Sequence, residues 1–193
     1  MSASIVDQMA IDKIADAVLY EGYILYPYRP STKNRQRWTF GGVYPRDWCE
    51  TAKCGDRASI ATQCLVIGDS GARVSARLRF LHLMSRDVRR LDEPLADLST
   101  LDASAGQSVD CLRIGEQSWY TWQEAADKCV DIESVSLADL AIAPVRRDFQ
   151  LAESQSVERL LDANGRVVGL LVRRQEAVAG TIELSAEHVG NDV

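Results

Sequence analysis

Ala72-Arg73-Val74-Ser75-Ala76-Arg77-Leu78-Arg79-Phe80-Leu81-His82-Leu83 alternates between two kinds of side chain along its length. Val74, Ala76, Leu78, Phe80 and His82 fall on one face, and Arg73, Ser75, Arg77, Arg79 and Leu81 on the other. Successive side chains of a strand point to opposite faces, so a period of two marks a half-buried β-strand. Upstream, Ser59 to Ile67 is rich in Ile, Thr, Cys, Leu and Val, and Gly68-Asp69-Ser70-Gly71 joins the two runs. Strand-like runs around such a turn predict a β-hairpin over 59–83. Its basic stripe, Arg73, Arg77 and Arg79, reads as a solvated outer face.

Working outward, Val157 to Leu161 and Arg166 to Arg173 flank Asp162-Ala163-Asn164-Gly165, and Asn-Gly between apolar runs is a strong hairpin signal. Gly180 to His188 alternates Ile182, Leu184 and Ala186 against Glu183, Ser185 and Glu187, a further strand. Short strands are expected at Val109 to Ile114 and Trp119 to Trp122, and a brief helix at Glu124 to Val130. Leu137 to Ile142 is a small aliphatic run before Pro144. Residues 90–108, with Asp92, Glu93, Pro94, Asp97 and Asp102, read as a flexible acidic loop. At the N-terminus Ile5, Met9, Ile11, Ile14, Ala15, Val18 and Leu19 predict an amphipathic helix over 5–20, which yields by Gly22 to an extended Tyr23–Tyr28. The expected fold is mostly β with a minor α component. It is an antiparallel sandwich or partly open barrel with a short N-terminal helix, one β-rich domain over 1–193. The strand pattern stops without a closing strand, which predicts an open edge available to a partner or to a second copy.

The chain has 193 residues and a formal net charge of −6, which argues against a general nucleic-acid or anionic-membrane binder. Its apolar runs are too short to span a bilayer, and Asp7 and Asp12 stand where a signal peptide would be basic then apolar. A cytoplasmic protein is expected.

Against that acidic background, eight of the thirteen aromatic residues lie between Tyr20 and Trp48, and no acidic residue falls between Glu21 and Asp47. Tyr, Trp and Arg are the residues enriched where proteins recognise one another. Tyr23, Tyr26, Tyr28, Trp38 and Tyr44 offer stacking faces, and Arg29, Lys33, Arg35, Arg37 and Arg46 supply charge. The segment reads either as a docking site for a protein partner or as aromatic core between helix and sheet with a solvated basic loop. A small-ligand pocket at Glu21, Tyr23, Tyr26 and Arg29 is a further reading, with Glu21 as an acid if desolvated.

Cys49, Cys54, Cys64, Cys111 and Cys129 are odd in number and read as reduced thiols. Cys49 and Cys54, with Cys64 beyond them, could carry a metal, but no second Cys or His pair answers them as zinc sites require. Cys64 and Cys111 fall in apolar patterns and read as small hydrophobes. His82, on an apolar strand face, reads as a core histidine, and His188 as surface. Neither a nucleophile elbow nor a phosphate loop is present, so no catalytic residue and no cofactor is expected.

Leu19-Tyr20-Glu21-Gly22-Tyr23-Ile24-Leu25-Tyr26-Pro27-Tyr28-Arg29-Pro30-Ser31, then Lys33-Asn34-Arg35-Gln36-Arg37-Trp38 and Phe40-Gly41-Gly42-Val43-Tyr44-Pro45-Arg46, resembles the opening of an uncharacterised bacterial family encoded among nickel–iron hydrogenase genes. Thr62 to Val66, Val74 to Leu83 and Gly180 to Glu187 fit the same pattern. The resemblance implies a non-catalytic accessory or assembly protein whose partners are hydrogenase subunits or maturation factors. It also implies relatives longer than this chain, which would make it an N-terminal portion. Cysteines are not part of that pattern at Cys49 and Cys54.

Overall fold

The computed structural model describes residues 8–24, 42–52, 55–69, 71–96 and 102–189. Three helices and nine strands follow in order: α1 Gln8–Ile24, α2 Arg46–Ala52, β1 Arg73–Leu95, β2 Gln107–Val109, β3 Cys111–Ile114, β4 Gln117–Tyr120, β5 Trp122–Ser136, α3 Leu137–Ile142, β6 Val145–Leu151, β7 Ser154–Leu161, β8 Val167–Gln175 and β9 Val178–Leu184. The fold is mostly β, every strand ladder is antiparallel, and the described strands close no barrel.

β1 is the spine. One edge of its first half pairs with β5, from Arg73↔Ser136 to Arg86↔Trp122. The opposite edge of its second half pairs with β8, from Ser85↔Arg174 to Leu95↔Val167, and β8 in turn pairs with β7. β2 lies beside Val88–Arg90. β3 and β4 form a hairpin, and β6 and β9 a two-stranded ribbon.

The core lies around β8, whose run Val167-Val168-Gly169-Leu170-Leu171-Val172 is apolar on both faces, as a strand covered on both sides requires. On one face Leu171 packs with Val88, Leu112 and Leu160, with Val109, Ile114 and Trp119 around them. On the other, Val167, Leu170 and Val172 pack with Ala103, Leu91 and Ala105. At Gly169 the β3–β4 cover comes close to the strand: a Cβ there would strike Leu112 and stand 2.7 Å from the Arg89 carbonyl oxygen of β1. The β7–β8 hairpin turns at Asp162–Arg166 as its Asn-Gly predicts. Gly165 takes φ +72° and donates to the Asp162 carbonyl at 3.0 Å, and Asp162 Oδ1 accepts from the amides of Asn164 and Arg166.

The ribbon half of β1 is layered differently. Phe80 meets Phe149 of β6 with ring centroids 5.7 Å apart, so β6 and β9 stack on its apolar face. Arg79, on the opposite face, reaches Asp16 of α1 at 2.7 Å. A sandwich-like stack of helix, β1·β5 and β6·β9 results.

Several expectations are corrected. The 59–83 hairpin does not form: residues 59–67 pair with nothing described, and β1 takes β5 instead. β5 offers what 59–67 lacks, an acidic row (Asp127, Asp131) for the arginines and buried Val130 and Ile132 opposite Leu78 and Ala76. The arginine stripe is therefore a paired face. Glu124 to Val130 is strand, because cross-strand pairing overrides a local helical pattern. The middle helices are α2 and α3. α1 continues through Gly22 to Ile24, a glycine costing a helix interior only about 1 kcal/mol. Of 90–108, residues 90–95 belong to β1 and 107–109 to β2, while 102–106 fold as a turn with Ala103 buried; residues 97–101 lie outside the described residues. Cys64 and Cys111 are exposed rather than buried.

Candidate docking surface

Of the ten residues assigned to partner binding, the structure describes the surroundings of Tyr44 and Arg46. Tyr23 falls in α1, and Tyr26, Tyr28, Arg29, Lys33, Arg35, Arg37 and Trp38 lie outside the described residues, as does Cys54. Of the small-ligand set, Glu21 and Tyr23 lie in α1 and Arg29 and Tyr26 outside.

The described end of the aromatic segment is a small self-tied unit. Val43 bridges Arg57, and the Tyr44 amide donates to the Arg57 carbonyl at 2.9 Å. Pro45 then opens α2: its carbonyl accepts from the Cys49 amide at 3.1 Å, and Asp47 in the first turn suits the helix dipole. Trp48 Nε1 donates to Asp56 Oδ2 at 3.2 Å, which satisfies the indole's polar group. Trp48 nevertheless stays 53% exposed, and Val43 51%. Tyr44 is half-buried and Arg46 exposed. No residue of α2 is buried. A tryptophan with its N–H held and its apolar body open to solvent is suited to burial against another surface. Trp48 was legible as the last aromatic of the cluster; its link to Asp56 was not.

Elsewhere the charged side chains pair with one another. Arg77 meets Asp131 at 2.7 Å, and Arg79 meets Asp127 at 2.5 Å besides Asp16. The Arg77 guanidinium holds the Asp131 carboxyl below the usual range, while burial and then Asp131 push the Cys129 thiol up. At the centre of the sheet Glu124 is clamped between Arg86 (2.5 Å) and Arg173 (2.9 Å), and Arg173 also meets Glu158 at 2.8 Å. Directly opposed on β1 and β8, Arg86 and Arg173 would repel without that carboxylate. Arg89 donates to the carbonyls of Ser104, Ala105 and Gly106 at 2.8–2.9 Å and fixes the 102–106 turn against β8.

His82 Nδ1 is buried with no hydrogen-bond partner, and desolvation, then Lys128, pull its pKa below the ordinary imidazole value. That imidazole is partly buried on β1. His188 is exposed. Cys49 Sγ lies 3.9 Å from the Tyr44 carbonyl, and Cys64 stands exposed on 59–67. Among the described residues no three His, Cys, Asp or Glu side chains are grouped to hold a metal ion, and no helix is long and apolar enough to cross a membrane.

Comparison of the chain with protein-family models, with curated proteins and with solved structures finds no match in any of the three.

Proposed function

We propose that this protein is a non-catalytic accessory or assembly module that docks a protein partner through the Tyr/Trp/Arg segment 20–48. The observation that carries the reading is Trp48, whose N–H is tied to Asp56 while the residue stays 53% exposed. Burying that ring in a partner's pocket supplies the anchor, and the arginines of the segment fix register by bidentate contacts to carboxylates. The resemblance in sequence names the partner class: subunits or maturation factors of a hydrogenase-type redox complex. A cytoplasmic site of action fits the free thiols of Cys49, Cys64, Cys111 and Cys129.

Affinity capture of the tagged chain from its host, read by mass spectrometry, tests this with wild type, Trp48→Ala and Arg37→Glu. Hydrogenase subunits or maturation factors recovered with wild type and lost with both variants, at unchanged melting temperature, would support the reading. Equal recovery with all three would end it for this segment. An anchoring tryptophan typically contributes about 2 kcal/mol or more, so Trp48→Ala should weaken capture of the purified partner roughly thirtyfold.

A further inference from the structure

Among the described residues, segment 59–67 has no strand partner, and neither has the edge of β1 opposite β5 over Arg73–Met84, where Gln175 Nε2 donates to the His82 carbonyl at 3.2 Å. Residues 59–67, Ser-Ile-Ala-Thr-Gln-Cys-Leu-Val-Ile, contain no charge, no Pro and no Gly. They run irregularly along the surface with Ile60 77%, Leu65 88%, Val66 55% and Ile67 101% exposed. Such a segment is a ready strand donor. The acceptor is β1. β5 occupies one edge of Arg73–Arg86, while β8 takes the opposite edge only from Ser85 onward. Among the described residues no strand pairs with that opposite edge between Arg73 and Met84.

The segment leaves its own β1 on the wrong side. The Ala72 amide donates to the Asp69 carbonyl at 3.0 Å, and the Ala72 carbonyl accepts from Leu137 of α3 at 3.0 Å. A Cβ on Gly68 would stand 3.5 Å from the Leu137 side chain. The turn at 69–72 thus sets Gly68 against Leu137 of α3, on the flank that β5 holds. Reaching the open edge within one chain would require breaking that turn.

We infer that the open edge of β1 accepts residues 59–67 of a second copy of this chain. The exchange is reciprocal: each copy gives its segment and receives the other's. Two identical contacts close the assembly as a two-fold dimer and leave neither element free to recruit a third copy. The inference does not depend on the docking role of segment 20–48.

Sedimentation equilibrium of the full chain from low to high micromolar concentration gives the first test. Wild type is expected to pass from monomer to dimer. Leu65→Lys/Ile67→Lys is expected to stay monomeric with an unchanged far-ultraviolet circular dichroism spectrum, because both side chains are exposed in the monomer. A wild type that stays monomeric throughout, or a folded double variant that dimerises equally well, overturns the proposal. Isotope-filtered NOE spectroscopy on a half-labelled dimer then locates the contact. Cross-copy contacts between 59–67 and Arg73–Met84 are expected. Contacts within one copy only, or to another element, overturn it.

Discussion

Arg73–Met84 and Ser85–Leu95 are two halves of one strand, and they meet different environments. The second half lies between β2 on one edge and β8 on the other, with Val88 wholly buried beneath the β3–β4 hairpin. Most of the first half pairs with β5 alone; none of its own residues is buried, and its arginines are neutralised pairwise at the surface. Alternation alone produces a strand in either place. What differs is the neighbour: β8 is apolar on both faces and recruits covers on both, whereas β5 answers arginine with aspartate. Stability should therefore be concentrated at one end of β1, and substitutions at either end, from largest effect to smallest, break or sharpen that contrast.

Leu171→Ala empties a fully buried site between Val88, Leu112 and Leu160, and should cost about 2–5 kcal/mol in urea unfolding. The same truncation at half-buried Leu78 in the ribbon should cost clearly less; equal losses would erase the contrast. Arg89→Ala leaves the carbonyls of Ser104, Ala105 and Gly106 without their shared donor and should cost about 1–3 kcal/mol. Arg89→Lys should rescue little, since a single ammonium cannot reproduce the fork that spans three carbonyls.

His82 gives the ribbon half a pH signature. Its imidazole is held neutral by burial, so its pKa in the folded protein lies below the unfolded value of 6.5. Its contribution to stability is complete above pH 6.5 and is lost as pH falls through the depressed folded value, because the unfolded chain binds the proton first. Urea midpoints measured downward from neutral pH should fall in wild type, and His82→Gln should flatten that slope. The smallest effect belongs to Arg77→Ala. Its pair with Asp131 is half-exposed on both sides, so the melting temperature should barely move, and still less at high salt.

The legible parts of the fold were those whose signals are local. Asn164-Gly165 dictates its turn because glycine takes φ +72° there, and the unbroken apolar run at Val167–Val172 announces a strand buried on both faces. Partner choice was not local. Residues 59–67 have the better strand composition, yet Asp127 and Asp131, some fifty residues downstream, are the side chains that complement Arg79 and Arg77. The run Asp127-Lys-Cys-Val-Asp131 held that signal, with both carboxylates on one strand face. The candidate surface was legible as composition, the aromatic and basic residues between Tyr20 and Trp48. The tie between Trp48 and Asp56, which leaves the ring facing solvent, depends on a chain reversal that composition does not encode.

Residue-resolved amide hydrogen exchange on the dilute monomer tests the contrast between the two halves most directly. Amides of Val88 and Leu170–Val172 are predicted to exchange only by global unfolding. Amides on the open edge of Arg73–Met84, and those of 59–67, are predicted to exchange orders of magnitude faster. Uniform protection along the whole of β1 would contradict the account.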